Sequence, residues 1–181
     1  YFAKVYNFFQ LKQGEQYGIV MELLEPRFSE GLELLHLIKK VKPSNEYKVH
    51  YSLELARAIS ATHKMGFVHG DLEPENVAIA NDGTPMGQLK LMDFGVSFIA
   101  GDGEGEKKID CCRSKEVGSP LYFSYELLLI SVDKSTYRTV GADLDWWAYG
   151  IMVYEIVKMK KVDNENYPGL IPGTWTEWGE I

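Results

Sequence analysis

Acidic and amide side chains are concentrated in one short segment of the sequence, HGDLEPEN. Residues 69–76 contain one histidine, three carboxylates and one amide: His69, Asp71, Glu73, Glu75 and Asn76. A further acid, Asp93, follows a short apolar run in LMDFG. Such groups could accept a proton or bind a cation, whereas polar loop residues of the same types could simply make Asx turns. The residue types alone leave both interpretations open.

The elements that must position these acids are predicted from hydrophobic periodicity. Two alternating segments, YFAKVYNFF and QYGIVMELL, flank a turn that contains Gly14 and predict an antiparallel hairpin. Leucine-rich helical spacing predicts one helix over residues 29–42 and a second over 46–64, which Gly66 ends. The second helix carries Leu53, Ala56, Ile59 and His63 at helical spacing. After the acids, VAIA and QLKLM flank Asn-Asp-Gly and predict a second hairpin.

The C-terminal half of the sequence predicts one long loop and one buried helix. Residues 100–118 are rich in glycine and charge, so we expect a long exposed loop. The segment GADLDWWAYGIMVYEIV is apolar on nearly every side, which is typical of a helix at the centre of a domain. Trp146 and Trp147 are therefore predicted to be core residues, and Asp145 a structural acid that bonds nearby backbone.

Composition limits the classes of function. The chain has 181 residues, of which 45% are hydrophobic, so it can bury a core and is predicted to be globular. A formal net charge of −7 argues against a nucleic-acid or anionic-membrane surface, since both need clustered Lys and Arg. The only cysteines, Cys111 and Cys112, are adjacent and suit neither a disulfide framework nor a zinc site. We expect a cytoplasmic protein.

Four motifs in this order resemble the eukaryotic protein kinases. HGDLEPEN resembles the catalytic loop H-R-D-L-K-P-E-N, and Asp93-Phe94-Gly95 matches D-F-G. GSPLYFSYE resembles the segment that closes the activation loop, and DLDWWAYG resembles the start of the central helix. The resemblance implies an α+β, protein-kinase-like fold, mainly the helical large lobe plus two strands of the small lobe. Residues 1–24 would be the end of the small lobe and the hinge, and residues 25–181 a truncated large lobe.

The resemblance also implies residue roles, cofactors and partners. Asp71 would accept or orient the proton of the substrate hydroxyl, and Asn76 and Asp93 would hold Mg²⁺ against the phosphates of ATP. Met21 would be the gatekeeper, and the hinge from Glu22 to Leu24 would pair with adenine through its backbone. The substrate would be a Ser or Thr hydroxyl of a protein. Histidine chemistry is not expected, because His69 fits a scaffold role and His36, His50 and His63 fit ordinary helix positions.

Departures from the family pattern bear on activity. Glu73 stands where the family has a lysine near the transferring phosphate. Two unit charges about 4 Å apart interact by roughly 4 kcal/mol at an effective dielectric of 20, so this reversal predicts slow transfer. Gly70 replaces the H-R-D arginine, so phosphorylation of the activation loop is not expected to act through that contact.

The sequence contains no G-x-G-x-x-G and no V-A-I-K, and it begins with Tyr1 in an apolar strand pattern. We therefore expect a piece of a longer protein that lacks the start of the small lobe and the last helices of the large lobe. Three alternatives remain open: a kinase whose isolated piece is inactive, a pseudokinase acting as a binding or scaffold domain, and a helical interaction domain unrelated to kinases. The last would leave the ordered motifs unexplained.

Overall fold

The structure is a computed structural model that describes most of the chain. The described residues are 1–10, 17–29, 31–40, 43–99, 107–109, 120–124 and 138–162. The predicted hairpin is confirmed: β1 (Val5–Gln10) pairs antiparallel with β2 (Tyr17–Met21), with Phe8 opposite Ile19. The turn predicted around Gly14 lies outside the described residues.

The first helix is shorter than predicted. Helix α1 spans Leu34–Lys40 and begins five residues after Ser29. The segment before it is held against the strand Val77–Ala80, because the Arg27 amide donates to the Ile79 carbonyl at 2.9 Å and the Ile79 amide donates to the Leu32 carbonyl at 2.7 Å. Gly31 has φ of 147°, which a helix cannot contain. Tertiary pairing therefore overrides helical periodicity before Leu34.

The second helix agrees closely with its prediction. Helix α2 spans Asn45–Lys64, and the Gly66 amide bonds the His63 carbonyl at 2.9 Å with φ of 81° as the helix ends. Its buried face lies at slightly different positions from those predicted: Leu53 is 52% exposed. The buried residues are Tyr51, Leu55, Ala58, Ile59 and Thr62.

Short strands follow α2. Strand β3 (Phe67–Val68) pairs antiparallel with β6 (Phe98–Ile99), and β4 (Val77–Ala80) pairs antiparallel with β5 (Gln88–Leu91), which confirms the second hairpin. A 3₁₀ turn, Pro74–Asn76, leads into β4. Strand β7 (Lys107–Ile109) pairs with β8 (Arg138–Val140) and so interrupts the loop predicted over residues 100–118. The other residues of that loop lie outside the described part of the chain.

The last helix, α3 (Asp143–Lys158), packs against α2 and buries only part of its surface. Its buried residues are Leu144, Asp145, Ala148, Met152, Glu155 and Ile156. The prediction of an almost fully buried helix is wrong, because Trp146 and Trp147 are 41% and 45% exposed. Trp146 still contacts α2, because its ring lies edge-on to that of His63 with centroids 5.7 Å apart. A second 3₁₀ turn, Pro120–Tyr122, places Tyr122 against α3.

One hydrophobic core joins α1, α2, α3 and the β4–β5 hairpin. Its fully buried side chains include Leu37, Leu55, Ile79, Leu91 and Met152. No helix in the described part of the chain is long and apolar enough to cross a membrane.

Candidate active site

The loop that carries the first acids is anchored by buried His69. Its Nε2 lies 2.9 Å from the Met92 carbonyl oxygen, and its ring centroid lies 4.6 Å from that of Phe94. His69 has no exposed surface. The predicted scaffold role is confirmed, since this side chain bonds backbone at the end of β5 rather than facing solvent.

Asp145 fixes the backbone of the same loop from α3. Its Oδ2 accepts the His69 amide at 2.8 Å, and its Oδ1 accepts the Gly70 amide at 2.9 Å. Gly70 has φ of 79°, a conformation that favours glycine. Asp145 is 1% exposed, so the buried carboxylate has the partners it needs. Its predicted structural role is confirmed.

His63 completes this arrangement, which the sequence did not predict. Its Nε2 lies 2.8 Å from Asp145 Oδ2, and the two residues are 82 positions apart. We expected an ordinary helix position, and that prediction was wrong. Helical spacing places His63 on α2 but carries no sign of a partner on a helix so distant in sequence.

Asn76 links Asp71 to the end of the loop. Its Nδ2 donates to the Asp71 carbonyl oxygen at 2.9 Å and to Asp71 Oδ2 at 3.3 Å. Asn76 is 9% exposed, whereas Asp71 is half-buried. Pro74 begins the 3₁₀ turn, where its fixed φ is compatible and its missing amide hydrogen costs no bond. This turn brings the amide of Asn76 back over Asp71.

Asp93 reaches the same edge from the other strand. The Met92 amide donates to the Asn76 carbonyl at 2.9 Å, which places Asp93 one residue beyond this contact. Asp93 is exposed and has φ of 55°, a left-handed conformation that is uncommon outside glycine and often marks functional positions. Its Oδ1 accepts the Gly95 amide at 3.2 Å. The structure therefore brings Asp71, Asn76 and Asp93 to one edge.

The donor set at this edge fits Mg²⁺. Because Nδ2 of Asn76 is engaged by Asp71, the amide oxygen points away from Asp71, and the exposed Asp93 supplies a carboxylate. Carboxylate and carbonyl oxygens are the ligands that Mg²⁺ takes, usually with water and phosphate oxygens completing the octahedron. Within the described residues, no group of three or more His, Cys, Asp or Glu side chains could hold a metal alone.

The predicted hinge follows β2. The Glu22 amide donates to the Lys4 carbonyl at 2.8 Å, and Lys90 Nζ on β5 donates to Glu22 Oε1. This hydrogen bond from Lys90 is the main cause that lowers the pKa of Glu22. Leu23 is 92% exposed, Leu24 is half-buried, and the Glu25 carbonyl accepts the Asn81 amide at 2.8 Å. The hinge thus runs along the outside of the β4–β5 hairpin.

A buried carboxylate on α3 organises the other side of the loop. The Tyr122 hydroxyl lies 3.1 Å from both carboxylate oxygens of Glu155, and the Val162 amide donates to Glu155 Oε1 at 2.7 Å. Burial raises the pKa of Glu155 to about 7, despite these bonds. The sequence analysis missed this group; an acid inside the apolar run YEIV was its only signal.

Two acids of the loop after β3, Glu73 and Glu75, lie close to the same buried group. Lys161 Nζ donates to Glu75 Oε1 at 2.5 Å. Burial raises the pKa of Tyr122, and the negative charges of Glu155, Glu75 and Glu73 raise it further. Glu73 is half-buried, so its charge lies within electrostatic reach of Tyr122 rather than far out in solvent.

Comparisons with known proteins indicate the family of the chain. A family model described as protein kinase domain matches residues 2–167. The chain is 36% identical over 132 residues to mouse citron Rho-interacting kinase, covering 72% of this chain and 6% of that protein. It is 30% identical over 150 residues to human Rho-associated protein kinase 1, covering 83% of this chain and 10% of that protein.

Two further similarities extend the comparison. The serine/threonine-protein kinase PKH3 of Eremothecium gossypii is 33% identical over 129 residues, covering 71% of this chain and 16% of that protein. This chain therefore spans at most 16% of the length of each of these three relatives. The crystal structure of the yeast RNA Pol II CTD kinase CTDK-1 complex superposes with a TM-score of 0.66 at 20% identity, covering 89% of this chain and 46% of that one. That similarity shows the fold alone.

Proposed function

Because the chain belongs to the protein kinase family, with the family's domain matched over residues 2–167, we propose that the protein containing it transfers the γ-phosphate of ATP to Ser or Thr hydroxyls of proteins. The observation that supports this proposal is the chain of contacts that links Asp71 to Asn76 and Asn76 to Met92, the residue before Asp93. Asn76 bonds Asp71 through its side chain and receives the Met92 amide on its backbone carbonyl. Phosphoryl transfer depends mainly on such positioning.

Each residue at this edge has a role that its contacts support. Asp71 has a half-buried carboxylate oriented by Asn76 Nδ2, so it is suited to accept or orient the proton of a substrate hydroxyl. Asn76, through its amide oxygen, and Asp93, through its carboxylate, would hold Mg²⁺. Bound Mg²⁺ would neutralise charge on the phosphates of ATP. The site is built from residues whose positions Asp145 and His69 fix through the loop backbone.

The hinge would hold the adenine. Glu22 to Leu24 would pair with the base through backbone groups, with Met21 at the end of β2 as the gatekeeper. The support is positional: this segment follows β2 directly, and Lys90 beside it lies three residues before Asp93. The residues that start the small lobe would complete the nucleotide site.

The preference for Ser and Thr rests on sequence features and relatives. Pro74 and Glu75 in the catalytic loop are typical of that class, and Ser119-Pro120 follow Gly118 where the family closes its activation loop. One relative is by name a serine/threonine-protein kinase. Proteins are therefore the proposed substrates or scaffold partners.

Replacing the proposed base tests the proposal. Asp71→Asn keeps the size and hydrogen-bonding reach of the side chain but removes its negative charge. We expect the rate of labelled phosphate incorporation into protein to fall by about 10²–10⁴-fold, the usual contribution of a positioned base. Asp82→Asn, in the exposed turn between β4 and β5, is the matched control and should leave the rate unchanged. Transfer by Asp71→Asn at the wild-type rate would exclude the assigned role.

A second candidate function, a pseudokinase that binds without efficient transfer, is favoured by one observation. Glu73 carries negative charge where the family has lysine, and that charge reaches Tyr122. If it also reaches the transferred phosphate, Glu73→Lys should raise the transfer rate by about 10²-fold, the scale of one preorganised charge. The measurement is the initial rate with saturating Mg-ATP. An unchanged or lower rate would show that Glu73 does not limit transfer.

A further inference from the structure

Lys90 is a charged residue in a nearly buried strand position. It lies on β5 between Leu89 and Leu91, both fully buried, and is itself 9% exposed. A buried ammonium group is costly unless it is paired and hydrogen-bonded. Its partner is Glu22, the first residue of the proposed hinge and 68 positions earlier. The side chains of Lys90 and Glu22 are 11% and 15% exposed.

Backbone contacts bring the same two regions together on either side of this pair. The Leu91 amide, next to Lys90, donates to the Tyr1 carbonyl at 2.7 Å, and Phe2 forms a parallel bridge with Leu91. Directly after the hinge, the Glu25 carbonyl accepts the Asn81 amide at 2.8 Å. The chain is thus tied to the β4–β5 hairpin directly after the hinge, and the chain before β1 is tied to the same hairpin at Leu91. Glu22 and Lys90 link the start of the hinge to the middle of β5.

From this geometry we propose that Lys90 is a positioning residue for the nucleotide: by pairing with Glu22 it fixes the hinge backbone at Leu23 and Leu24, where adenine would bind. This inference rests on the proposed function for its ligand. The hydrogen bond from Lys90 is the chief cause that lowers the pKa of Glu22, which shows that the pair favours the ionised carboxylate. Lys4 also faces Glu22 and lowers its pKa more weakly.

The pair acts on the hinge and not on the Asp71 edge, so it should affect ATP binding more than chemistry. In Lys90→Gln or Glu22→Gln, one charge is left in a poorly hydrated position without its partner. The double variant removes both charges and leaves two amides able to hydrogen-bond. The KM for ATP should therefore rise by about three- to ten-fold in each single variant. It should rise no further in the double variant, while kcat stays within about two-fold.

The test combines steady-state kinetics with amide hydrogen exchange. Both are measured on the whole protein that contains this chain. Exchange is followed without nucleotide at residues 22–25, with residues 58–59 of the buried face of α2 as an internal reference. Lys64→Gln, an exposed lysine at the end of α2, is the control variant and should match wild type in both measurements. Lys90→Gln should exchange faster at 22–25 and equally at 58–59.

The outcomes separate this inference from the proposed function. Unchanged KM and unchanged exchange at 22–25 in Lys90→Gln would overturn the inference while leaving transfer intact. A fall in kcat without a rise in KM, or faster exchange throughout α2, would show a general structural role and also overturn it. A wild-type protein that transfers no phosphate contradicts the proposed function. In that case amide exchange at residues 22–25 tests the inference without kinetics. Faster exchange in Lys90→Gln than in wild type would support it, and equal exchange would reject it.

Discussion

Asn76 shows how one side chain can assemble a site. Its Nδ2 bonds two oxygens of Asp71, and its backbone carbonyl receives the amide of the residue before Asp93. Asn76 is 9% exposed, so few other orientations are open to its amide group. The relative positions of the proposed base and of the proposed metal ligands therefore depend on one residue, Asn76, which a 3₁₀ turn holds in place.

Glu155 gives a prediction about pH at the same scale. Its pKa is raised from 4.5 to about 7 by burial, so the folded protein binds a proton that the unfolded chain releases between these values. This contribution to stability is present below pH 4.5 and is lost as pH rises through 7. A shift of this size corresponds to at most about 3 kcal/mol.

Glu155→Gln should remove that dependence, since glutamine still accepts bonds from Tyr122 and Val162 but does not titrate. The free energy of unfolding is measured by denaturant titration at several pH values from 4.5 to 8. Relative to the variant, wild type should lose up to about 3 kcal/mol over this range. A difference that stays constant with pH would show that Glu155 has an ordinary pKa.

At the scale of elements, the sequence predicted local structure well where the signal was local. Helix α2 was predicted within one residue at its start, because helical spacing and Gly66 both mark it. The β4–β5 hairpin followed from Asn-Asp-Gly between apolar runs. Helix α1 was predicted to start at Ser29, because periodicity could not show that Pro26 and Glu33 form bridges with β4.

Apolar composition also failed to show which face of α3 is buried. Trp146 and Trp147 were predicted as core but are 41% and 45% exposed, whereas Asp145 between Leu144 and Trp146 is buried. A segment that is apolar on every side does not indicate which of its faces will be buried. Only its packing against α2 selects the stripe through Leu144, Ala148 and Met152.

The packing of α3 on α2 should contribute strongly to stability. Met152 is fully buried in the shared core, so Met152→Ala removes buried apolar surface and leaves a cavity. We expect the free energy of unfolding to fall by about 2–5 kcal/mol. Met65→Ala is the matched control, because Met65 is 55% exposed and should change it by less than about 0.5 kcal/mol. Equal effects of the two substitutions would show that α3 does not form part of the core.

The motif residues of the candidate site could be predicted from the sequence, but the pairs that hold them in place could not. Asp71, Asn76 and Asp93 lie in short motifs that resemble those of the protein kinases, and this resemblance identified them. Their supporting pairs join residues far apart in sequence: His63 with Asp145 across 82 positions and Glu22 with Lys90 across 68. Such pairs have no local pattern, because each partner satisfies ordinary helix or strand rules where it stands.

At the scale of the whole molecule, the proposed site lies where separate elements meet. The loop after β3 supplies Asp71, the 3₁₀ turn supplies Asn76, and the chain after β5 supplies Asp93, while α3 holds the loop through Asp145. The chain has a net charge of −7 and ATP is also negatively charged, so the two would repel each other without a local positive charge. A cation bound by Asn76 and Asp93 would offset this repulsion.

The most direct test of this account is Mg²⁺-dependent transfer by wild type and by Asp93→Asn. Both are prepared as the whole protein that contains this chain. The rate of labelled phosphate transfer from ATP to protein Ser or Thr is measured for each over a range of Mg²⁺ concentrations. The account predicts transfer that rises and saturates with Mg²⁺ in wild type, and a loss of at least about 10²-fold in Asp93→Asn. Equal rates and equal Mg²⁺ dependence in the two proteins would contradict it.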